Sequence, residues 1–231
     1  MKVLITGFNP FANDTVNPSY EAVKKLPEQI YVDDQLGSVT LIKAEIPTEF
    51  GTSAEVVRKL VQEYKPDHII CVGQAGGRSG ITPERVAINI DDASIPDNAG
   101  YQPLDSTIIA DGKNAYFASM PVKDIVKAIS NDGIRAGVSN SAGTFVCNHI
   151  MYHVCHMKES GEFPFLKSSG FIHVPFCPDQ VERDYPWYHP IKWIYRPPSM
   201  SLDEMSAGLA IAVKQVVKGE SGDKLEGGSI C

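Results

Sequence analysis

The sequence has no apolar run approaching the ~18 residues that a membrane-spanning helix needs, so no membrane partner is expected. It has no Cys-x-x-Cys pair. Its five cysteines, Cys71, Cys147, Cys155, Cys177 and Cys231, are an odd number, which argues against a disulfide framework and for a reducing, cytoplasmic compartment. Positive charge is in deficit. Lys and Arg number 21 against 28 Asp and Glu, a formal net charge of −7, which disfavours a general binder of nucleic-acid backbone. The stretch before Gly7 is too short for a signal peptide and reads as a strand.

What remains is the composition of an ordinary folded domain. Over 231 residues, 43% are hydrophobic and 21% charged, unlike disordered, collagenous or coiled-coil chains. A chain of this size buries roughly 70% of its unfolded surface and needs no metal or disulfide staple.

Apolar runs and caps outline the elements. Lys2–Thr6, Val39–Ile46, His68–Gly73, Arg85–Ile90, Ile134–Ser139 and Gly170–Phe176 read as strands. Asn17-Pro18 starts a helix running to about Lys25. Thr52 with Glu55 fits a capping box before a helix that Lys65-Pro66 stops. Pro121 opens another, Thr144–Met157 is a fourth, and Ser201 with Glu204 caps a last one ending at Gly219. Strands alternating with helices predict an α/β domain with a largely parallel sheet covered on both faces. The expected division is a single domain over 1–217 and a loose Gly/Ser-rich tail over 218–231. Asn98–Asn114 and Asp184–Pro198 are the expected long loops.

In such folds ligands bind outside the carboxyl ends of the strands, and three segments there carry candidate chemistry. Ser139–Asn148 joins a strand to a helix and places Cys147 in the helix's first turn. Free amides and the helix dipole there are expected to lower the thiol's pKa and to offer an oxyanion site; the alternative is a buried, inert cysteine. Gly170–Pro175 places Phe171, His173 and Pro175 on one face of a strand. The 26 residues from Cys147 to His173 are enough to bring that strand back beside the one before Cys147, which makes a Cys–His pair plausible; the alternative is a core histidine bonded to backbone. Gly73–Gly80 lacks the Lys-Ser/Thr of a P-loop and the spacing of a dinucleotide fingerprint. Its glycines could let backbone approach a small ligand. Glu84 beyond it could orient His173, or simply pair with a nearby arginine.

His149, His153 and His156 share one helical face, but the sequence lacks the glutamate of H-E-x-x-H. A partly exposed polar face is the expected reading, with no metal.

Together these segments resemble pyroglutamyl peptidase type I, the pyrrolidone-carboxylate peptidase family. The residues that carry the resemblance are Thr6–Phe11 with Asn17-Pro18-Ser19, Gly73–Asn89 with Thr82–Ala87, Ile95–Asn98, Ser139–Cys147 and Gly170–Pro175, in family order. The resemblance implies a three-layer α/β/α sandwich and a cytoplasmic, homo-oligomeric cysteine peptidase, dimer or tetramer, without cofactor. Its substrates would be peptides with N-terminal pyroglutamate. It implies Cys147 as nucleophile, His173 as base then acid, and Glu84 as the residue orienting the histidine. It implies a ring pocket of Phe8, Phe11, Thr48, Ile95, Phe145 and Val146, with Gln74 beside it. Many members have arginine where this chain has Ser94, and Phe176-Cys177-Pro178 is unusual. A phosphate-binding transferase of the nucleoside phosphorylase kind and an inactive binding module are the alternatives; both leave Cys147 without a role in turnover.

Overall fold

The structure, a computed structural model, describes residues 1–12, 14–181, 196–219 and 221. Strands β1 (Lys2–Phe8), β2 (Gln29–Asp33), β3 (Gly37–Ile46), β4 (His68–Gln74), β5 (Thr82–Pro83) and β8 (Ser168–Val174) form one sheet, and β6 (Val86–Ile88) pairs with β7 (Ala115–Phe117) apart from it. Six helices accompany them among the described residues: α1 (Pro18–Lys25), α2 (Thr52–Tyr64), α3 (Val122–Asn131), α4 (Val146–Glu159), α5 (Pro178–Val181) and α6 (Leu202–Lys218).

The sheet order is β2-β3-β1-β4-β8-β5. Its four central strands run parallel; β2 and β5 are antiparallel edges. The strands β1, β4 and β8 read as continuous apolar runs because helices cover both faces. Val3, Ile5, Ile70, Val72, Ile172 and Val174 pack under α1, α3 and α6. Leu4, Phe8, Ile69, Cys71 and Phe171 pack under α2 and α4. The result is the expected α/β/α arrangement.

Local chemistry explains most boundaries. Asn17 caps α1 by accepting from the Ser19 amide, with Pro18 at the first helical position. Gly7 lets this helix start against β1: a Cβ there would lie 2.4 Å from the Tyr20 Cα. At α6, Ser201 and Glu204 form the predicted capping box, and Gly219 at φ 83° ends the helix.

Four expectations are corrected. At α2 no side chain caps the helix: Gly51, at φ 71°, takes the N-cap, and its N–H is satisfied instead by His149 Nε2 at 3.0 Å. In β6 the alternation of Val86, Ile88 and Ile90 on one face points to that face as the buried one, but the fully buried residue is Ala87, while Val86 and Ile88 are half-buried and Ile90 is exposed. Residues 134–139 do not form a strand but two isolated bridges, Ile81 with Ala136 and Glu84 with Ser139. The rungs at Ile81, Gly137, Ser139 and Arg85 are present. The missing one would need an N–H from residue 83, which is proline, and so the ladder breaks there. Lastly, β8 does not lie beside 134–139. The residues around β5 run between them, because β8 pairs with β4 on one side and β5 on the other.

The hairpin strand β2 had no expectation attached to it. Most of the expected loop Asp184–Pro198, and all of the tail beyond Gly219 except Ser221, lie outside the described residues. No helix among the described residues is long and apolar enough to cross a membrane.

Candidate active site

A cavity of about 390 Å3 opens at the carboxyl ends of the sheet strands. Each wall comes from a different element. β1 ends in Phe8 and leads to Phe11, β4 ends in Gln74, and the loop after it brings Gly76 and Arg78. His173 comes from β8. The start of α4 brings Phe145 and Cys147.

Cys147 is the second residue of α4. That helix is pinned by Asn148, whose Oδ1 accepts from the Ile88 amide at 3.0 Å and whose Nδ2 donates to Ile88 O and Ile90 O. The thiol is thereby held from the other end of its own turn. Gly73 locates it against the sheet. A Cβ on Gly73 would lie 2.9 Å from Cys147 Sγ and 2.6 Å from Phe171 Cζ, so only glycine leaves this space to the thiol. Gly73 is also the register partner of His173. One glycine thus borders both the thiol and the imidazole strand.

Across the antiparallel β5–β8 pair, Thr82 faces His173, and Glu84 donates its N–H to Phe171 O. Glu84 therefore sits diagonally from His173 on the same face, within side-chain reach. His173 Nδ1 lies 2.7 Å from Glu84 Oε1, with His173 3% and Glu84 0% exposed. The choice between an orienting carboxylate and an arginine partner resolves to both: Arg78 Nη1 donates to the same Oε1 at 2.5 Å. Arg78 also donates to Thr82 Oγ1 and to Ser141 O, tying the loop before Cys147 to the carboxylate. Arg78 was no candidate from the sequence. A cation six residues before a buried glutamate has no spacing signature, and only the loop's return path brings them together.

Burial raises the Glu84 carboxyl, but the His173 hydrogen bond and the His173 and Arg78 charges leave it below its ordinary value. Burial lowers His173 more than Glu84 raises it. The Cys147 thiol departs from expectation. Burial, aided by the Glu84 charge, pushes it up to about 12 against the opposing Arg78. Withdrawal from water outweighs the helix dipole. Both shifts act against the charged forms of the pair.

The other predicted positions divide. Phe8, Phe11, Thr48, Gln74 and Phe145 line the cavity. Phe11 and Phe145 approach with ring centroids 6.2 Å apart, and Phe50 stands edge-on to Phe145 at 5.3 Å. Gln74 Oε1 accepts from Gln180 Nε2 at 2.9 Å, which leaves its own NH2 as a donor. Val146 is fully buried in the core beneath α4. Ile95 is exposed and lines a neighbouring depression with Ser94, on the far side of Phe145. Asn17, read from sequence as a helix cap and not as a pocket residue, also reaches the cavity wall.

Of the α4 histidines, His153 and His156 are partly exposed, as expected of that face, and His149 is not. His149 is buried, its Nε2 accepts from Gly51 N–H, and its Nδ1 lies 2.7 Å from Asp91 Oδ2. With Nε2 accepting, the ring proton sits on Nδ1. His156 Nδ1 bonds Tyr116 Oη at 3.0 Å. Burial, the largest cause, pushes His153 down to about 3. Among the described residues no three His, Cys, Asp or Glu side chains converge on a metal position. Cys177 is structural: buried, with its N–H donating to Gln180 Oε1.

Comparison with known proteins agrees in sequence and in fold. The family model for pyroglutamyl peptidase matches residues 1–219. The pyrrolidone-carboxylate peptidase of Lactobacillus johnsonii is 51% identical, the match covering 94% of this chain and 93% of that one. The one of Clostridium botulinum is 48% identical over the full length of both. Among solved structures, pyroglutamyl peptidase I of Bacillus amyloliquefaciens superposes with a TM-score of 0.84 at 43% identity, covering 98% of this chain and 99% of its own. A mutant pyrrolidone carboxyl peptidase of Pyrococcus furiosus does so at 0.83 and 38%, covering 94% and 99%. With the match running through every element that builds the cavity, this chain belongs to the pyroglutamyl peptidase family.

Proposed function

We propose that this protein hydrolytically removes the N-terminal pyroglutamyl residue from peptides, using Cys147 as nucleophile, His173 as general base and then acid, and Glu84 to orient and charge-balance the imidazole. The observation that carries this reading is the buried His173–Glu84 pair opening on the same cavity as Cys147. Family membership supports the substrate class.

The chemistry follows from the resting charges. With the thiol neutral, attack on the exocyclic carbonyl requires Sγ to pass its proton to His173 as the S–C bond forms. The imidazolium is then stabilised by Glu84, whose carboxylate already accepts from Nδ1. His173 returns the proton to the nitrogen of the leaving peptide, the C–N bond breaks, and a thioester remains. Water, deprotonated by His173, attacks that thioester. Pyroglutamate leaves and Cys147 regains its proton. General acid–base help of this kind contributes roughly 10²–10⁴-fold. Amides at the start of α4 and the Gln74 NH2 border the same cavity and are the donors this reading assigns to a developing oxyanion and the lactam carbonyl. Cytoplasmic location and assembly into a homo-oligomer belong to the same reading.

The test is cleavage of a pyroglutamyl amide by the purified protein, with and without prior iodoacetamide. Release of the amine, lost in step with labelling of Cys147, is expected. Phosphate-dependent turnover, or activity surviving full alkylation, would overturn the reading.

The Gly73 contact adds a finer expectation. In Gly73→Ala the new methyl must displace the Phe171 ring and the thiol. Overpacking of this kind costs roughly 1–3 kcal/mol, and misplacing a reacting group by about 1 Å can cost on the order of 10²-fold in rate. Thermal melting and kcat/KM, measured together, should both fall. A variant within twofold of wild-type kcat/KM would show that this packing does not place the nucleophile.

A further inference from the structure

We propose that Arg78 is a positioning residue of this machinery: by sharing Glu84 Oε1 with His173 and tying it to the loop before Cys147, it keeps the buried carboxylate charged and governs how readily His173 takes a proton. The inference rests on the Cys147–His173–Glu84 assignment.

Glu84 has no exposed surface, and an isolated carboxylate in such a place neutralises itself. A neutral glutamic acid cannot stabilise an imidazolium. In the resting state His173 is itself uncharged, so it offers Glu84 a hydrogen bond but no positive charge. Arg78 offers both, 2.5 Å from Oε1. Its guanidinium does not deprotonate, so the charge is present at every stage of the cycle. Its second arm reaches Ser141 O at 3.1 Å, on the segment leading into α4. The side chain is 27% exposed and lines the cavity, so it is held without being sealed in the core.

The groups that face His173 are Glu84 from the end of β5, Arg78 from the loop after β4, and Cys147 from the start of α4; the Phe171 ring on its own strand carries no charge. Arg78 acts on the pair in two ways that oppose each other at His173, the held anion favouring the imidazolium of turnover and so setting the plateau, the direct repulsion setting the acid limb. It holds Glu84 as the anion, and it disfavours a second cation on His173 before catalysis begins. The imidazole is thus kept free to accept the thiol proton at neutral pH.

The experiment is the pH profile of kcat/KM on a pyroglutamyl amide for wild type, Arg78→Met and Arg78→Lys. Removing the cation should move the acid limb to higher pH by about half a unit or more, less than the roughly 1–3 units of a directly touching charge. It should also lower the plateau. Arg78→Lys keeps the charge and loses the fork, so its acid limb should stay close to wild type while its plateau drops. Superimposable limbs for wild type and Arg78→Met would overturn the proposal, as would an equal shift in both variants. Arg78→Gln replaces Arg78→Met if the latter does not fold; if neither neutral variant folds, Arg78 is only structural and the proposal fails. A wild-type protein inactive on the amide defeats the triad assignment itself, whereas an active one with unmoved limbs defeats only the role of Arg78.

Discussion

Cys147→Ala is expected to abolish turnover of pyroglutamyl amides while the protein remains folded. In the proposed mechanism the thiol's contribution is a covalent bond to the acyl group. Its removal costs little packing. Sγ lies in a cavity wall, and its near contact with the position a Gly73 Cβ would take shows a tight site, not a large buried one. Melting temperature should therefore stay near wild type while rate falls by far more than the 10²–10⁴-fold that acid–base help alone contributes. Cys147→Ser should be nearly inactive as well, because a hydroxyl is a poorer nucleophile and His173 would have to deprotonate a weaker acid. His173→Ala should be as damaging, and the double variant no worse than either single one, since the two groups act as a unit. Residual activity above about a hundredth of wild type in Cys147→Ala, or losses that multiply in the double variant, would remove Cys147 from the mechanism. Cys71 and Cys155 are buried under the sheet and far up α4; replacing them should leave the rate largely intact.

The second large effect is selectivity for N-terminal pyroglutamate over N-terminal proline. The two rings have nearly the same size and differ at one ring carbon, where pyroglutamate carries C=O. That oxygen turns a cationic secondary amine into a neutral amide. The cavity presents Phe8, Phe11 and Phe145 to a flat neutral ring and the Gln74 NH2 to a carbonyl, with Arg78 on the same wall. A prolyl substrate would bring a cation against these rings and this guanidinium, and would leave a lactam-oxygen donor unpaired. Sites built to bond a polar group reject analogues that lack it by roughly 10⁴–10⁵-fold. The measurement is kcat/KM for pyroglutamyl and prolyl amides with the same leaving group. A ratio below about ten, ~1.4 kcal/mol, would mean that the cavity reads ring shape alone, and the pyroglutamyl assignment would have to be abandoned. Phe11→Ala or Phe145→Ala should weaken use of the pyroglutamyl substrate yet leave Cys147 open to iodoacetamide, which separates recognition from nucleophile chemistry.

Much of this protein was legible along the chain because it depends on local rules. The runs read as strands at Lys2–Thr6, His68–Gly73 and Gly170–Phe176 fall on strands observed at Lys2–Phe8, His68–Gln74 and Ser168–Val174, buried on both faces. The caps at Asn17 and Ser201 mark helix starts, since orphan amides there need an acceptor within a few residues. The placement of Cys147 at a helix start and of His173 near a strand end also follows from these elements, and with them the candidacy of both residues. What escaped local reading were features fixed by partners distant in sequence. Thr52 has the capping-box pattern, but the N-cap of α2 is Gly51, without a side-chain cap, and the Gly51 amide donates instead to His149, 98 residues away. Residues 134–139 have the composition of a strand, but their neighbour contributes Pro83 at the rung where an N–H is needed. Ile95 and Val146 lie away from the cavity lining because the burial of a side chain depends on how its loop or helix packs.

The sequence by itself determined most element types, the covered parallel sheet, and the candidacy of Cys147, His173 and Glu84, because periodicity, caps and residue chemistry act within a few positions. Tertiary structure alone decided that Glu84 meets His173 on the diagonal of the β5–β8 pair, that Arg78 shares its oxygen, and that burial raises the Cys147 thiol. Those outcomes depend on which groups meet inside the fold and on how much water is excluded there, and an electrostatic environment made by three separate loops has no signature along the chain.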